Sequence, residues 1–295
     1  MLEYTIDPKK AVRSPALVGI AACVFSLIAA LLSLALFYEY SSVLTCAFIT
    51  MFFTPFFLKL FATEEAKELV SKPDRNLLKR HADVIKIYSA FFLGVIFALS
   101  LLFIALPVGV QKVLFLKQIS EIKRITSLAT GGMISFETAR IIFFNNTFVM
   151  LTTFLLSFIF GAGAVLILSW NASIIAVYAG NYVNSLIARG TQPALAFAIG
   201  LPQSLLSIAL HGIPEIIGYF FAGMAGGILS ATATSKRLSP EQFKKLVADS
   251  LIFLGVGEFS IFTGAFIESG NDIFTLVAAI SYIFFLTFFV FSYAE

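Results

Sequence analysis

The sequence predicts an all-α, polytopic transmembrane helical bundle, and its composition and patterning together carry this prediction. Hydrophobic residues make up 59% of the chain and charged residues only 13%, whereas roughly 25% of residues are charged in an ordinary soluble domain. Several apolar runs reach the roughly 20 residues that cross a bilayer as a helix, and none alternates like a strand of a membrane barrel. The expected location is therefore the cell membrane.

Nine apolar segments follow one another along the chain. The first comes directly after a basic N-terminal stretch, but it is long enough to span and lacks a small-residue cleavage site, so we interpret it as an uncleaved helix and not as a signal peptide. The approximate ranges are 15–37, 43–61, 87–107, 141–169, 172–189, 194–210, 213–233, 249–268 and 272–293.

The string HGIP at 211–214 predicts a break between two helical pieces. Pro202 interrupts the segment before it, and Pro214 cannot donate a backbone hydrogen bond to the carbonyl of Leu210. Proline also suits the first turn of a helix that begins near residue 213. We therefore expect about eight spans plus a re-entrant or broken helix near residues 194–214, where irregular backbone must be covered by protein or line a watery cavity.

Basic residues in the connecting segments predict the orientation. The N-terminus and the charged connector before residue 87 are both rich in lysine and arginine, which places them in the cytoplasm, with both termini inside. His81 lies in that connector and is expected to be solvated. The basic stretch 108–140 falls on the opposite side, against this rule, and we interpret it as an amphipathic helix at the membrane interface. The cytoplasmic set includes Lys9, Lys10, Arg13, Lys67, Lys72, Arg75, Lys79, Arg80 and Lys86.

Polar side chains inside the apolar segments predict a polar intramembrane centre. His211 and Glu215 are four residues apart, and an ionisable group inside a membrane helix is costly unless it is paired or wet. Two interpretations stay open: the pair locks helices together through hydrogen bonds, or it forms a working site. For the asparagines, hydrogen bonding between helices is the simpler interpretation. The candidate partners are Asn146, Asn171, Asn184, Glu258 and Glu268.

Small residues at helical spacing predict close packing between helices. Beyond Glu215, small residues recur every four positions and form one face, and a second small pair lies beside it. Such faces serve contacts within one chain or between copies, so a homo-oligomer stays open. The candidate packing glycines are Gly161, Gly180, Gly212, Gly218, Gly223, Gly226 and Gly227.

Catalytic chemistry is poorly supported by the sequence. A zinc hydrolase needs three protein ligands and a general base, yet His211 is the only histidine in an apolar segment and HGIPE is not the H-E-x-x-H motif. A metal-dependent intramembrane hydrolase is thus a thin alternative. We therefore expect no catalytic residue, no metal and no cofactor. We also expect no nucleic-acid partner, because the formal charge is only +3 and lies in the connectors.

The chain contains two long strings in this order: FFNNTFVMLTTFLLSFIFGAGAVLILSWNAS and LHGIPEIIGYFFAGMAGGIL. They resemble the stage II sporulation protein M family, an integral membrane domain of unknown function, and especially its longer archaeal-type members. Glu268 matches a late isoleucine-glutamate element, although the chain continues GNDIFTL where the family pattern has threonine-proline. The other matching positions are Asn146, Asn171, His211, Gly212, Glu215 and Gly226. The resemblance implies an N-terminal two-helix hairpin with its connector at 1–86, the family domain at 87–271 and an extra helix at 272–295.

The resemblance implies a non-enzymatic scaffold or anchor. In sporulating bacteria the family is implied to anchor an envelope-remodelling complex, so the expected partners are the lipid bilayer and other membrane or envelope proteins. The alternative is a transporter or channel with a polar midplane site around His211 and Glu215, as interrupted helices form in secondary transporters. A wet cavity reaching His211 would favour transport, and a dry, hydrogen-bonded His211 would favour helix locking.

Overall fold

The structure is a computed structural model that describes residues 7–70, 77–130, 136–234, 239–269, 278 and 280–283. Within these residues every regular element is helical. Proline occupies the first turn of several helices, where its missing N–H costs nothing. The α-helices are α1 (Pro8–Arg13), α2 (Pro15–Leu36), α3 (Ser41–Val70), α4 (Leu77–Ala105), α5 (Val108–Leu114), α6 (Leu116–Thr130), α7 (Phe136–Phe160), α8 (Ala164–Ala188), α9 (Pro193–Thr234) and α10 (Pro240–Glu268), and a short 3-10 helix, Tyr38–Tyr40, joins α2 to α3.

Seven of the described helices are long and apolar enough to cross a membrane, namely α2, α3, α4, α7, α8, α9 and α10. The predicted all-α, polytopic fold is thereby confirmed. The last predicted span, 272–293, lies almost wholly outside the described residues.

The predicted break and re-entrant piece near residues 194–214 are wrong, because α9 continues without interruption for 42 residues. Pro202 and Pro214 both lie inside it. Membrane helices tolerate proline where neighbouring helices cover the backbone groups that lose their hydrogen bonds, and Pro214 packs against α10 near Gly264. At a rise of 1.5 Å per residue α9 is about 63 Å long, so the two predicted segments form one element.

The predicted boundary between the apolar segments 141–169 and 172–189, which places a helix-to-helix turn at Trp170 and Asn171, is also wrong. The turn lies at residues 161–163, where Gly161 has φ +74°, a conformation that glycine adopts without strain. Ser157 closes the turn, because its hydroxyl accepts a hydrogen bond of 2.8 Å from the Ala164 amide. Asn171 instead lies inside α8 and donates to the Ile167 carbonyl at 2.8 Å. The continuous apolar run concealed a turn made of small residues.

The described chain divides into two compact units, and the first comprises Met1–Phe53, Ile87–Gly131 and Val165–Ala209. In this unit α2 and α4 approach closely, because a side chain on Gly94 would overlap the carbonyl of Gly19. The stretch predicted to lie at the interface forms α5 and α6. Buried Gln118 anchors α6 by donating to the Ser42 carbonyl at 3.0 Å and to the Ser173 hydroxyl at 3.1 Å.

The second unit comprises Thr54–Lys86, Gly132–Ala164 and Leu210–Glu295. Here α9 and α10 cross with their backbones in near contact, since a Cβ on Gly218 would lie 3.0 Å from the carbonyl oxygen of Gly257. Gly226 faces the backbone of α7, and a Cβ on Gly227 would lie 2.6 Å from the Phe61 ring of α3. Small residues therefore set the spacing of the helices in this unit, as their spacing in the sequence predicted.

His81 is not solvated, contrary to the prediction, and belongs to the buried part of the second unit. Its side chain is 1% exposed, and its Nδ1 lies 3.8 Å from a carboxylate oxygen of Glu64, which is also buried. The imidazole ring stands edge-on to Phe253, with 5.3 Å between the ring centroids. The high local charge of the connector predicted exposure, but packing against α10 decides the burial of this residue.

Candidate intramembrane carboxyl site

The centre of the candidate site is Asn146 on α7. The buried positions of α7 recur every three to seven residues along one face, which also holds Met150, Thr153 and Ser157. This periodicity carries Asn146 into the second unit, where it is 8% exposed. Its amide nitrogen donates a hydrogen bond of 2.6 Å to the carboxylate Oε1 of Glu215 on α9.

The orientation of the Asn146 amide is fixed by its other partners. The hydroxyl of Tyr219 donates to Asn146 Oδ1 at 3.0 Å, and the amide nitrogen of Asn145 donates to the same oxygen at 3.2 Å. Because donors occupy the oxygen, the amide nitrogen must be the atom that faces Glu215. Asn146 can therefore only donate to this carboxyl group, an arrangement that complements its charged, hydrogen-bond-accepting form.

A second acid lies beside Glu215. The carboxyl of Glu268 on α10 lies near the carboxyl of Glu215, close enough for the two acids to interact electrostatically. Gly264 permits this approach, because a Cβ there would lie 3.0 Å from Cγ of Glu215 and 3.1 Å from the carbonyl oxygen of His211. The two acids therefore lie on neighbouring helices, α9 and α10, on either side of Gly264.

Glu258 forms a further part of the site. Thr147, the residue after Asn146, donates to Glu258 Oε1 at 2.8 Å. The other carboxylate oxygen, Oε2, is buried and has no hydrogen-bond partner among the described residues. Ten residues of α10 separate Glu258 from Glu268, a rise of about 15 Å. Consecutive residues of α7 thus bond two different acids: Asn146 bonds Glu215 on α9, and Thr147 bonds Glu258 on α10.

Three predicted site residues are not part of this cluster. His211 is partly exposed, and no hydrogen bond of its side chain occurs within the described residues, so it does not form a bonded pair with Glu215. Asn171 bonds its own helix, and Asn184 makes no side-chain hydrogen bond in the described part of the chain. Both asparagines belong to the first unit. The predicted residues that do meet are Asn146 and Glu215, with Glu258 bonded to the next residue of α7.

Two residues of the cluster were not predicted from the sequence. Tyr219 follows Glu215 by four positions and therefore lies on the same face of α9, a spacing that could have identified it. Thr147 stands directly after Asn146 in the string NNT, but a threonine in an apolar helix more often bonds its own backbone. Nothing in the sequence shows that Thr147 bonds an acid on another helix.

The predicted packing glycines divide into several groups in the structure. In the second unit Gly218, Gly226 and Gly227 make close helix contacts, whereas a side chain on Gly212 would meet no atom within 4 Å. Gly161 forms the α7–α8 turn, and Gly223 is buried. In the first unit a Cβ on Gly180 would lie 2.5 Å from the Phe103 ring.

The apolar helices and the buried acid–amide cluster define a multi-pass helical membrane protein. Within the described residues, no group of three or more His, Cys, Asp or Glu side chains is arranged to hold a metal ion. The sequence model of the family described as stage II sporulation protein M matches residues 82–270, more than half of the chain. The chain belongs to that family, which confirms the resemblance. No match was found among curated proteins or among solved structures.

Proposed function

We propose that this chain is a proton-linked membrane transport protein, with the Glu215–Glu268 pair as its proton-binding site. The observation that supports the proposal is the contact between two acids inside membrane-length helices, one of them held by the Asn146 amide. Ionisable groups at such positions mark ion pathways and proton relays in membrane proteins. The sequence suggested a transport site at a broken helix around His211 and Glu215, but α9 is continuous. The proposal therefore rests on the two acids and not on a helix break.

A purely structural role accounts less well for the same residues. The hydrogen bond from Tyr219 to Asn146 already joins α9 to α7 without any acid. A second carboxyl beside Glu215 adds repulsion that a helix lock does not need, and the buried Oε2 of Glu258 lacks a bonding partner in the described residues. A buried polar atom without a partner costs about 1–3 kcal/mol, a cost that weakens a helix lock.

The test is proton flux into liposomes that contain the purified full-length protein and a pH-sensitive dye, with the membrane potential clamped. We expect faster dissipation of a pH gradient than in protein-free liposomes. Glu215→Gln and Glu268→Gln should each return the rate to about that of protein-free liposomes, because a glutamine cannot exchange a proton. Glu39→Gln, which changes an exposed acid of the 3-10 helix, is the control and should leave the rate unchanged. Equal rates with and without the protein would contradict the proposal.

A second candidate function is the non-enzymatic scaffold, and family membership supports it. Under this proposal other membrane or envelope proteins, or further copies of the chain, dock on the helices, and neither cofactor nor nucleic acid is bound. Proton flux would then be absent, Glu215→Gln and His211→Ala would act only on thermal stability, and partner recovery from native membranes would fall in proportion to the folded protein.

We also propose that the N-terminus faces the cytoplasm. Because α9 is one candidate span, the beginning of α10, with Lys244 and Lys245, falls on the same side as Lys9 and Lys10, as the positive-inside tendency requires. The basic residues near the start of α10 thus agree with the N-terminal orientation without any segment that fails to cross, whereas the basic helices α5 and α6 lie on the opposite side, against this tendency.

Cysteine labelling tests this orientation. In a chain with Cys23 and Cys46 replaced by alanine, we expect Arg189→Cys, in the α8–α9 connection, to react with an impermeant maleimide on intact cells. Lys10→Cys and Glu241→Cys should react only after permeabilisation, because both lie on the cytoplasmic side. The reverse pattern would establish the opposite orientation.

A further inference from the structure

A groove of about 320 Å³ opens on the second unit, remote in sequence from the carboxyl residues. It is formed by α3, the end of α7 and the last turns of α9, and its lining includes Leu58, Ala62, Ile159, Phe160, Gly227 and Ser230. Ile159 is 63% and Phe160 64% exposed, so the mouth of the groove presents large apolar side chains outward. An apolar lining of this kind suits a hydrocarbon chain better than a polar solute.

The ends of the helices place this groove at one membrane surface. The three candidate spans that form it end at Glu64, Phe160 and Ala233. The lining residues lie within six positions of these ends, which is less than two helical turns. We therefore assign the groove to the level where the acyl chains of one leaflet meet their headgroups.

An exposed lysine, Lys59, is adjacent in sequence to a lining residue of the groove. Lys59 follows Leu58 on α3, lies inside the candidate span Tyr38–Glu64, and makes no ion pair within the described residues. A lysine near the end of a membrane helix extends its ammonium group toward the headgroups. Basic groups beside clefts between membrane helices bind anionic headgroups by charge complementarity.

We propose that the groove binds an acyl chain of an anionic glycerophospholipid of this leaflet, with Lys59 at the lipid phosphate. The apolar lining would take the chain, and the ammonium group would take the charge. The proposal is independent of proton transport, because none of its residues belongs to the carboxyl cluster. It assigns this surface to a bilayer lipid and not to a protein partner.

Native mass spectrometry of the full-length protein, titrated in detergent with dioleoyl phosphatidylglycerol or dioleoyl phosphatidylcholine, tests the proposal. We expect the wild type to bind one phosphatidylglycerol molecule in preference to phosphatidylcholine. Lys59→Gln should weaken phosphatidylglycerol binding about fivefold, the effect of one basic residue at an anionic surface, and should leave phosphatidylcholine binding unchanged. Lys117→Gln, at an exposed lysine of α6, is the charge control and should change neither.

A bulky side chain in the groove tests whether an acyl chain binds there. Ala62→Trp would fill the groove and should weaken binding of both lipids, whereas Leu155→Trp, at an exposed position of α7 outside the lining, should weaken neither. Melting temperatures of all variants show that the comparison concerns folded protein. The proposal requires both effects. It would be overturned if Lys59→Gln left phosphatidylglycerol binding unchanged, or if Ala62→Trp did.

Discussion

Gly226→Leu is expected to prevent stable folding of the second unit. A Cβ at this position would overlap the carbonyl oxygen of Phe154 and would lie 2.7 Å from Cβ of Ser157. The obstacle is backbone and cannot move aside as a flexible side chain can, so α7 and α9 must separate. Overpacking a core costs about 1–3 kcal/mol when side chains can adjust, and we expect a loss of about 3 kcal/mol or more here.

Thermal unfolding in detergent, followed by size-exclusion chromatography, measures this effect. Gly226→Ala should lower the melting temperature in the same direction but less, because it adds only the Cβ. Gly212→Ala on the same helix is the matched control: a side chain there meets no atom within 4 Å, so the change should be neutral or stabilise by about 0.5–1 kcal/mol. Equal melting temperatures for Gly226→Ala and Gly212→Ala would show that α7 and α9 do not pack through Gly226.

Asn146→Leu is expected to have the second largest effect. It removes the donor to Glu215 and the acceptor of Tyr219 at once, and it leaves both groups buried without these partners. A buried group that loses its hydrogen bond costs about 1–3 kcal/mol, and more when it is charged, so we expect a loss of about 2–4 kcal/mol. Asn146→Asp should also destabilise the fold, because it keeps the acceptor but replaces the donor by a third acid.

Asn145 supplies the control on the same helix. Its side chain is exposed and makes only the longer bond of 3.2 Å to Asn146, so Asn145→Leu should change stability by less than about 1 kcal/mol. The double variant Asn146→Leu with Glu215→Leu should lose less stability than the two single losses added together, because each partner is costly only when the other is left alone. Additive losses would mean that the Asn146–Glu215 bond is not a coupled interaction.

The sequence predicted the membrane fold and part of the site because both depend on local periodicity. Asn146 was predicted as a partner in the intramembrane centre, and it lies at helical spacing from Thr153 and Ser157 on the face of α7 that the structure buries. The glycines after Glu215 predicted close helix contacts, and Gly218 and Gly226 make them. These features repeat every three or four residues and need no knowledge of the partner helix.

The errors arose where tertiary contacts override local signals. Pro214 is a strong helix breaker in isolation, but in α9 it lies inside a helix that packs on α10 near Gly264. His81 has charged neighbours in the sequence, yet the Phe253 ring and the Glu64 carboxylate bury it. The contact between Glu215 and Glu268 joins residues 53 positions apart, and no local sequence pattern predicts such a contact.

The contact between Glu215 and Glu268 has an electrical consequence. Under the proposed function, a proton that binds to this pair changes the charge of a site within a membrane span, and that charge lies in the electric field of the bilayer. Carrying one elementary charge through the whole field at 100 mV changes its energy by about 2.3 kcal/mol, and a site part of the way across experiences the corresponding fraction. Proton occupancy of the pair would then follow the voltage across the membrane as well as the acidity on either side, so that polarising the cell alone would load or empty the site.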